Sequence, residues 1–510
     1  MPVCPGEDGA SAVNQSDMKK LLAMGVRLST ERDMDDLLEY ILKCMMDLAH
    51  CDAGTLYLLD GGALHFKIMR NDTLGTYIGG KGNEPRLPPV PLDRGNVCAL
   101  SLIENRIIRI RDVKNCKDYD FSGPIRYDAM TGYNTRSMLV APMRSREGNQ
   151  IGVIQLINAM DREGRVCEFK EELALVIENA ASQSAITIQN VRYLDEIKRL
   201  FQSFVRVMSS AVEELTPYNG NHSRRMAEYG DHFLDYLNRQ AGQAGEAAPF
   251  SPDHKEELLM SLWLHDIGKL VTPLEVMNKA ARLLPEQYNA FLHRMEVIRL
   301  RGEIDCLSGR ISAGERDGLI RRTWEAIELV DAVNAIGFLP DERLAEVDAL
   351  AELTYADGDG THQPWLTPEE HAMLSIRKGT LSEAEREIME GHVSITGKLL
   401  SQIRFPQDLS HVPQWASAHH ELLNGSGYPN HLTGDDIPVE VRIITILDVF
   451  DALVADDRPY KPGMPVERAL SILRIMAEKE GKLDPELTRL FCQSKCWEKP
   501  YLREEGDQNQ

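Results

Sequence analysis

A histidine and an aspartate that stand side by side are the residues with the clearest chemical potential. His265 and Asp266 follow an apolar run at residues 258–264. A neutral imidazole beside a carboxylate suits divalent transition metals, and the two oxygens of one carboxylate can bridge two ions. If the preceding helix continues, Lys269 lies on the same face as His265, where its ammonium can meet a phosphate. The dipeptide alone is common by chance, so its meaning depends on the rest of the chain.

Residues of the same ligand types recur in other segments, beside or within predicted helices. They are His222, His392, His419, His420 and Asp448. A single histidine on an apolar helix face is usually a core residue whose hydrogen bonds are satisfied. Burying a whole set of ionisable groups without metal or ion pairs, however, is energetically unfavourable. Residues of these types would therefore favour a metal centre if their segments met in space.

The elements that must position these residues are helices in the second half of a long chain. At 510 residues, with 43% hydrophobic and 27% charged residues, the sequence predicts two or three globular domains. A total of 57 Lys and Arg against 79 Asp and Glu gives a net charge of −22, which argues against binding of long nucleic acid. No transmembrane run or signal peptide stands out and the nine cysteines are scattered, so a cytoplasmic protein with reduced thiols and no membrane partner is expected.

The N-terminal part predicts a sensor-like α+β domain followed by a long helix. Residues 1–16 are small and polar and predict a disordered leader. Residues 17–170 combine helical periodicity with strand-like runs at 54–59, 64–68, 107–110, 137–142 and 151–157. Residues 171–215 carry apolar side chains on alternating steps of three and four, which predicts a connecting helix that pairs across a homodimer axis. One long helix packed on its own domain is the alternative. The pattern comprises Leu173, Ile177, Ala180, Val191, Leu194, Phe201, Val205, Met208, Val212 and Leu215.

Several stretches of this N-terminal part carry a family resemblance. They lie at residues 55–58, 71–74, 120–124, 131–139 and 152–158. Over about residues 17–190 the chain resembles a GAF domain of the kind that accompanies cyclic-nucleotide phosphodiesterases and cyclases. The Asn-Lys-Phe-Asp-Glu motif of nucleotide-binding members survives only in part, at Asn158 and Phe169. The ligand of this domain is therefore left unassigned.

The second half carries a more specific motif. His419, His420 and Glu421 are followed, three residues later, by Gly-Ser-Gly-Tyr-Pro at residues 425–429. With the His-Asp-Ile-Gly-Lys stretch at 265–269, this resembles the HD-GYP family of cyclic di-GMP phosphodiesterases, helical members of the HD superfamily, over about residues 200–480.

The resemblance implies a set of site residues. The metal ligands would be His222, His265, Asp266, His392, His419, His420 and Asp448. Asp266 would bridge two ions, and Asp266 and Lys269 would be the catalytic residues. The substrate contacts would be Lys269, Tyr428, Asp451, Arg458 and Lys461.

The donor set also bears on the cofactor. Histidine-rich ligation with carboxylates suits iron or manganese, and the sequence does not separate these from zinc or nickel. Some family members carry a third metal bound by a Glu one turn before the first histidine. Tyr218 stands at that position, so two divalent ions are expected rather than three. Glu213 and Glu214, further upstream, are expected to face solvent.

The chain departs from the family pattern within the predicted all-α domain at residues 216–485. A helical insertion at about 283–376 separates the two halves of the ligand set, and its role as a lid, a dimer surface or a partner site is left open. His293 sits in an imperfect copy of a ligand context and is expected to be a surface or packing residue. Residues 486–510 form the C-terminal tail, read as a helix followed by disorder.

The predicted protein is a dimeric GAF–HD-GYP phosphodiesterase. It would hydrolyse cyclic di-GMP to the linear dinucleotide, with onward hydrolysis to GMP left open, under control of the GAF domain. One alternative is hydrolysis of another cyclic dinucleotide, such as cyclic GMP-AMP. Another is a weakly active cyclic di-GMP-responsive module that binds a protein partner through the Gly-Tyr-Pro loop or the insertion.

Overall fold

The computed structural model describes residues 15–28, 30–31, 33–80, 82, 87–145, 147–215, 221–455 and 463–498. The chain divides into two compact units, residues 1–200 and 201–510. Across the ranges given, no helix combines the length and the apolar character that a bilayer crossing requires. The predicted leader at 1–16 falls almost wholly outside these ranges, since the first helix begins at Gln15.

The first unit is built on an antiparallel sheet. Its strands are β1 Cys51–Asp60, β2 Ala63–Asn71, β3 Thr76–Gly79, β4 Val90–Pro91, β5 Ile108–Ile110, β6 Met138–Arg144, β7 Gln150–Met160 and β8 Val166–Cys167. Their order is β3-β2-β1-β7-β6-β5, with β4 beside β2 and β8 beside β7. All five predicted strands are present. The short strands β3, β4 and β8 were not predicted, because two to four residues give too little alternation to recognise.

Helices cover both faces of this sheet. They are α1 Gln15–Leu28, α2 Met34–Ala49, α3 Val97–Glu104, α4 Ser122–Thr131 and α5 Glu171–Glu214. Leu38, Ile41 and Met45 of α2 pack with Leu156 of β7 and Ile177 of α5 in one core. A smaller core forms around α3 and the opposite sheet face. The α+β architecture predicted for this part of the chain is confirmed.

Helix α5 has the predicted length, but its apolar residues point in two directions. Ile177 and Ala180 are buried in the core of the first unit, and Val205 is buried in the second unit. These members of the predicted heptad pattern are apolar because they pack inside the chain's own units. Leu194 of the predicted pattern is exposed, and so are apolar residues outside that pattern: Tyr193, Ile197, Leu200, Phe204 and Val207. The predicted seam is therefore corrected, since several of its members are internal packing residues.

The second unit is mainly helical, as predicted. Outside the insertion its helices are α6 His222–Gln243, α7 Pro252–Leu264, α8 Leu274–Met277, α13 Glu383–Leu400, α14 Val412–Ala416, α15 Val439–Val454, α16 Val466–Glu478 and α17 Pro485–Ser494. Helix α13 starts with the expected capping box of Ser382 and Glu385. Helix α15 is apolar nearly all round and lies at the centre, where Ile443, Leu447 and Phe450 are fully buried.

The insertion folds around a core of its own. It comprises α9 Pro285–Leu307, α10 Ala313–Asn334, α11 Asp341–Ala351, β9 Thr354–Ala356, β10 His362–Pro364 and α12 Pro368–Leu374. Phe291, Val330 and Trp365 pack together in this core. The predicted helices are present, and the β9–β10 hairpin adds a two-stranded sheet that was not predicted. His293 is exposed, as expected of a surface residue.

The two ends of the insertion are bound to each other. Arg282 is fully buried and donates hydrogen bonds to the carbonyls of Ile336 and Ile376. Beside it, the Lys279 ammonium lies 2.7 and 2.8 Å from the two oxygens of Glu385, at the start of α13. The chain thus enters and leaves the insertion at one place.

The end of the chain belongs partly to the core of the second unit. Phe491 of α17 is buried against Phe233 and Phe450, and Trp497 packs on the same rings. The predicted helix at the start of the tail is therefore present, whereas residues 499–510 lie outside the described ranges.

Candidate metal centre

Five segments of the second unit bring the predicted ligands together. His222 is the first residue of α6, and His265 and Asp266 follow the end of α7. His392 lies in α13, His419 and His420 follow α14, and Asp448 lies in α15. The candidate ligand atoms form two groups, and within each group all of them lie within 4.8 Å of one another. One group comes from His222, His265 and Asp266, and the other from His392, His419 and His420.

Two carboxylates lie between these groups and face both. Asp266 Oδ1 is 3.3 Å from His392 Nε2 and 3.9 Å from His419 Nε2. Its Oδ2 is 3.5 Å from His265 Nε2 and 3.8 Å from His222 Nε2. Asp448 repeats this arrangement, with Oδ1 3.4 Å from His222 Nε2 and Oδ2 3.7 Å from His420 Nδ1. Each carboxylate therefore offers one oxygen to each histidine group.

The backbone fixes which ring nitrogen carries hydrogen in three of the histidines. Nδ1 of His265, His392 and His419 lies 2.7, 2.6 and 2.7 Å from the carbonyl oxygen three residues earlier. A carbonyl oxygen can only accept, so each Nδ1 must be the donor. Each Nε2 then keeps its lone pair and points toward Asp266, as required of a metal ligand.

Those lone pairs are not satisfied by the protein alone. His392 Nε2 and His419 Nε2 are buried and receive no hydrogen bond from any residue within the described ranges. His222 Nε2 and His265 Nε2 face each other at 3.1 Å, which is repulsive unless a proton or a cation lies between them. Buried acceptors that converge on two carboxylates fit divalent cations.

The electrostatic balance of the site favours neutral histidines and charged carboxylates. Burial lowers the pKa of His265, His419 and His420, that of His420 to about 4. Burial alone would raise the pKa of Asp266, but Lys269 and His265 hold it well below its usual range. Neutral imidazoles and ionised carboxylates are the forms that bind metals.

His222 differs from the other histidines. Burial would lower its pKa, but hydrogen bonds to Asp448 and Asp451 raise it to about 10. The extra proton relieves the contact between the His222 and His265 nitrogens. A divalent cation would displace that proton and take over the same role.

Two threonines fix the segments that carry the candidate ligands to one another. Thr396, one turn after His392, donates to the His265 carbonyl at 3.0 Å and accepts from the Gly268 amide at 3.0 Å. Thr445 of α15 donates to the His419 carbonyl at 2.8 Å. Gly268 packs so tightly that a Cβ there would lie 2.0 Å from the His392 carbonyl oxygen. The relative placement of the ligands thus depends on short backbone contacts.

Lys269 reaches the site by a different route from the predicted one. The α-helix ends at Leu264, and residues Ile267–Val271 form a 3₁₀ turn. The tighter turn places residues i and i+3 together, so the Lys269 ammonium lies on Asp266, 2.5 Å from Oδ2. The expectation of a continuous helix is corrected, while the ammonium still borders the candidate metal ligands.

Asp451 does not have the surroundings predicted for a substrate contact. Its side chain is 1% exposed, and its two oxygens accept hydrogen bonds from Arg225 and His222. A ligand could reach it only by displacing both partners. The structure therefore places Asp451 behind a candidate ligand and not on an open surface.

The Gly-Tyr-Pro loop lies beside the second histidine group. Glu421 is 1% exposed and accepts hydrogen bonds from the Asn430 and Leu432 amides, which fixes the loop. The Tyr428 ring lies 4.8 Å from the His420 ring. The other predicted substrate contacts, Arg458 and Lys461, lie outside the described residues, as does Tyr218 at the expected third-metal position.

Glu213 has a structural contact that the sequence did not suggest. Its carboxylate accepts hydrogen bonds from the amides of Asn221, at 3.1 Å, and Ser223, at 2.6 Å. These amides belong to the first turn of α6, which has unsatisfied donors by its geometry. The expectation that Glu213 only faces solvent is corrected, because it caps the helix that begins with His222.

Sequence reasoning missed Arg225, Thr396, Thr445 and this role of Glu213. A weak signal existed for three of them. Arg225 and Thr396 lie three and four residues after a candidate histidine, and Thr445 lies three before Asp448, so each shares a helix face with a ligand. Nothing local distinguishes such residues from ordinary helix polar groups, which is why they were not selected.

Comparison with protein families matches both halves of the chain. A GAF domain model matches residues 33–188 and an HD domain model matches residues 347–487. The HD match includes His392, His419, His420 and Asp448 but begins after His265. The N-terminal sheet unit thus falls in one recognised domain type, and the part of the candidate metal centre contributed by residues 392–448 falls in another.

Relatives resemble a limited part of the chain. A 3'3'-cGAMP-specific phosphodiesterase of Vibrio cholerae is 39% identical over 110 residues, 22% of this chain and 23% of that protein. The cyclic di-GMP phosphodiesterase response regulator RpfG of Xanthomonas campestris is 41% identical over 112 residues, 22% of this chain and 28% of that protein. A cyclic di-GMP phosphodiesterase of Thermotoga maritima is 37% identical over 119 residues, 23% of this chain and 31% of that protein. The chain thus matches less than a third of the length of each.

Proposed function

Because this chain carries a GAF domain and an HD domain, we propose that it is a metal-dependent phosphodiesterase that hydrolyses cyclic di-GMP to the linear dinucleotide. The observation that carries the proposal is the pair of histidine groups that share Asp266 and Asp448. Sites with two adjacent divalent cations are typical of phosphodiester hydrolysis. The names of the relatives, which act on cyclic dinucleotides, support the substrate class.

The proposed centre holds two divalent ions. His222, His265, Asp266 and Asp448 would hold one, and His392, His419 and His420 would hold the other together with Asp266. When bound, the ions supply Lewis-acid stabilisation of charge on the phosphate oxygens. The mixed imidazole and carboxylate donors suit iron or manganese.

In the proposed reaction, water adds to one phosphorus atom and the bond from phosphorus to the 3' oxygen of the neighbouring ribose breaks. The proton released by water ends on that oxygen. Lys269, which borders Asp266, would add positive charge beside the phosphate. Tyr428 lies beside His420 and offers a ring on which a guanine base can stack. Arg458 and Lys461 are proposed as further substrate contacts from the sequence resemblance alone.

A second substrate is favoured by one specific observation. The cGAMP-specific relative from Vibrio cholerae is about as similar to this chain as the cyclic di-GMP phosphodiesterases are. Hydrolysis of 3'3'-cGAMP is therefore the alternative activity. The two substrates differ in one base, so the residues that contact the bases must decide between them.

We also propose that the chain forms a homodimer through α5, which would let the GAF domain regulate the HD domain. Exposed apolar residues at positions 193, 197, 200, 204 and 207 follow alternating steps of four and three. That is the spacing of a coiled-coil seam, and the exposed Asn190 continues the same register. A polar residue at such a position favours a parallel pair in register.

The test is turnover of defined substrates by purified full-length protein. Manganese- or iron-loaded protein is incubated with cyclic di-GMP or 3'3'-cGAMP, and the products are separated by chromatography. We expect linear pGpG from the first substrate, and a loss of at least about 100-fold in His265→Ala and Asp266→Ala. His293→Ala is the matched control, because His293 is exposed and lies in the insertion.

Three results would contradict the proposal. Faster consumption of 3'3'-cGAMP would favour the alternative substrate. Metal-loaded protein that binds either dinucleotide without consuming it would favour a binding module. Turnover that survives in Asp266→Ala would exclude the shared carboxylate as the centre of the reaction.

A further inference from the structure

We propose that Arg225 and Asp451 are a positioning pair that holds the hydrogen of His222 on Nδ1 and so leaves Nε2 free to bind a metal ion. This inference rests on the metal centre of the proposed function and explains what prepares one of its ligands. It gives Asp451 a role behind the site, in place of the predicted contact with substrate.

The contacts of Asp451 allow one hydrogen-bond pattern. Arg225 Nε lies 2.7 Å from Oδ1 and Nη2 lies 2.8 Å from Oδ2, a two-bond contact between guanidinium and carboxylate. His222 Nδ1 lies 2.7 Å from the same Oδ2. Arginine is always charged and keeps the buried carboxylate ionised. An ionised carboxylate only accepts, so His222 Nδ1 must donate.

Asp451 therefore does for His222 what backbone carbonyls do for His265, His392 and His419. Those three histidines lie within, or directly after, a helical turn that supplies a carbonyl acceptor. His222 is the first residue of α6, and the acceptor at its Nδ1 comes from α15 instead. The contact also ties the orientation of the His222 ring to the helix that carries Asp448.

Replacing Asp451 by asparagine should reverse the hydrogen-bond pattern. Arg225 offers only donors, so the amide oxygen of the new side chain must face Arg225 and its NH₂ group must face His222. His222 Nδ1 would then have to accept, and its hydrogen would move to Nε2, the atom needed for the metal. The asparagine side chain is nearly the same shape as aspartate, so packing changes little.

The experiment compares metal affinity in four proteins. Manganese binding is titrated in full-length wild type, Asp451→Asn, Arg225→Met, and the double variant. We expect Asp451→Asn to weaken the affinity of one site by roughly 10- to 100-fold. The double variant should recover much of that loss, because without Arg225 the amide is free to turn its oxygen toward His222. Arg225→Met alone should have a smaller effect, since the carboxylate still accepts from His222.

The exposed Asp435 provides the control variant. Asp435→Asn removes an exposed carboxylate that pairs with Arg442, and should leave manganese binding unchanged. The proposal is overturned if Asp451→Asn binds manganese like wild type, or if the double variant is no better than Asp451→Asn. A purely structural role predicts the latter, because two core changes would add. A wild type that takes up no metal would instead overturn the proposed function.

A second measurement covers the case in which Asp451→Asn does not fold. Wild-type protein labelled with ¹⁵N-histidine is loaded with zinc, and the two ring nitrogens of His222 are identified by NMR. The proposal requires a proton on Nδ1 and zinc on Nε2. Zinc on Nδ1, or a proton on Nε2 in the loaded protein, would overturn it without any substitution.

Discussion

At the residue scale, the candidate site requires the two nitrogens of a histidine ring to have different roles: one donates a hydrogen bond and the other faces the metal position. In four histidines one nitrogen is held by a fixed acceptor, which is a backbone carbonyl in three cases and Asp451 in the fourth. In neutral rings of His265, His392 and His419 the other nitrogen is then free of hydrogen, whereas His222 would lose its extra proton when a cation binds. Ligand identity alone would not give this arrangement, because a histidine with the wrong nitrogen protonated cannot bind a metal through it.

The Thr396 hydroxyl gives a prediction at this scale. Thr396→Val keeps the side-chain shape but removes one hydrogen bond to the His265 carbonyl and another from the Gly268 amide. Because both backbone groups are buried, we expect the free energy of unfolding of the metal-free protein to fall by about 1–3 kcal/mol. Urea unfolding measures this. Thr396→Ser keeps the hydroxyl and should lose much less; an equal loss in both variants would argue for packing and against hydrogen bonding.

Most of the candidate ligands could be selected from sequence, but their supports could not. His265, Asp266 and Asp448 lie directly after apolar runs. An ionisable residue is unusual in such a position, and this made the three residues recognisable. Arg225 and Thr396 are ordinary polar residues on ordinary helices, and their roles arise from groups far away in sequence. Tertiary contacts of this kind leave no local pattern.

At the element scale, the close approach of the 3₁₀ turn to α13 determines where His265 and His392 meet. Gly268 lies against the His392 carbonyl, within the 3₁₀ turn that also carries Lys269. The sequence placed Lys269 on the face of His265 only on the condition that the preceding helix continues, and the structure ends that helix at Leu264.

Two glycines make a matched test of that contact. Gly268→Ala places a methyl group 2.0 Å from the His392 carbonyl oxygen, so backbone must move, and we expect a loss of stability of about 3 kcal/mol together with weaker metal binding. Gly391→Ala, on α13 beside His392, meets nothing within 4 Å and should be neutral or stabilising by up to about 1 kcal/mol. Thermal unfolding and manganese titration measure both effects. Similar losses in the two variants would contradict the proposed importance of the contact.

The apolar residues of helix α5 fall into two sets, one buried within the units and one exposed. Its heptad spacing was read as a dimer seam, yet Ile177 and Val205 pack inside the two units. The exposed apolar residues lie on another face of the same helix. The spacing of apolar residues predicts a helix. It does not show which of two apolar faces packs against the chain's own domains.

At the scale of the whole molecule, the exposed face of α5 predicts the oligomeric state. Ile197→Glu and Leu200→Glu place charges on residues that are 63% and 71% exposed, so the fold of one chain should be unaffected. In a dimer the same charges would meet across the seam, and we expect mainly monomer by light scattering at micromolar concentration. Glu196→Gln is the neighbouring control and should leave the dimer intact. A wild type that is monomeric at these concentrations would exclude the seam.

The overall organisation was largely predictable, because each part has a strong local pattern. Strand-like runs marked the first unit, and the motifs at residues 265–269 and 419–429 marked the second. The position of the insertion was visible only as a gap in the ligand order between Lys269 and His392. Its separate core, with Phe291 and Trp365, could not be assigned from sequence, because apolar residues do not show which partners they will meet.

The hydrogen bonds of Arg282, which join the two ends of the insertion, bear on whether the insertion can be lengthened, shortened or removed. Since residues 282 and 376 are joined by hydrogen bonds, the ends of the insertion are already adjacent, and removing it would leave a gap that a short turn can bridge. The entropy of closing the chain between two adjacent ends grows only slowly with the length inserted, and the inserted residues are ordered by a core of their own. The second unit can therefore acquire, exchange or lose this insertion without rebuilding its own architecture.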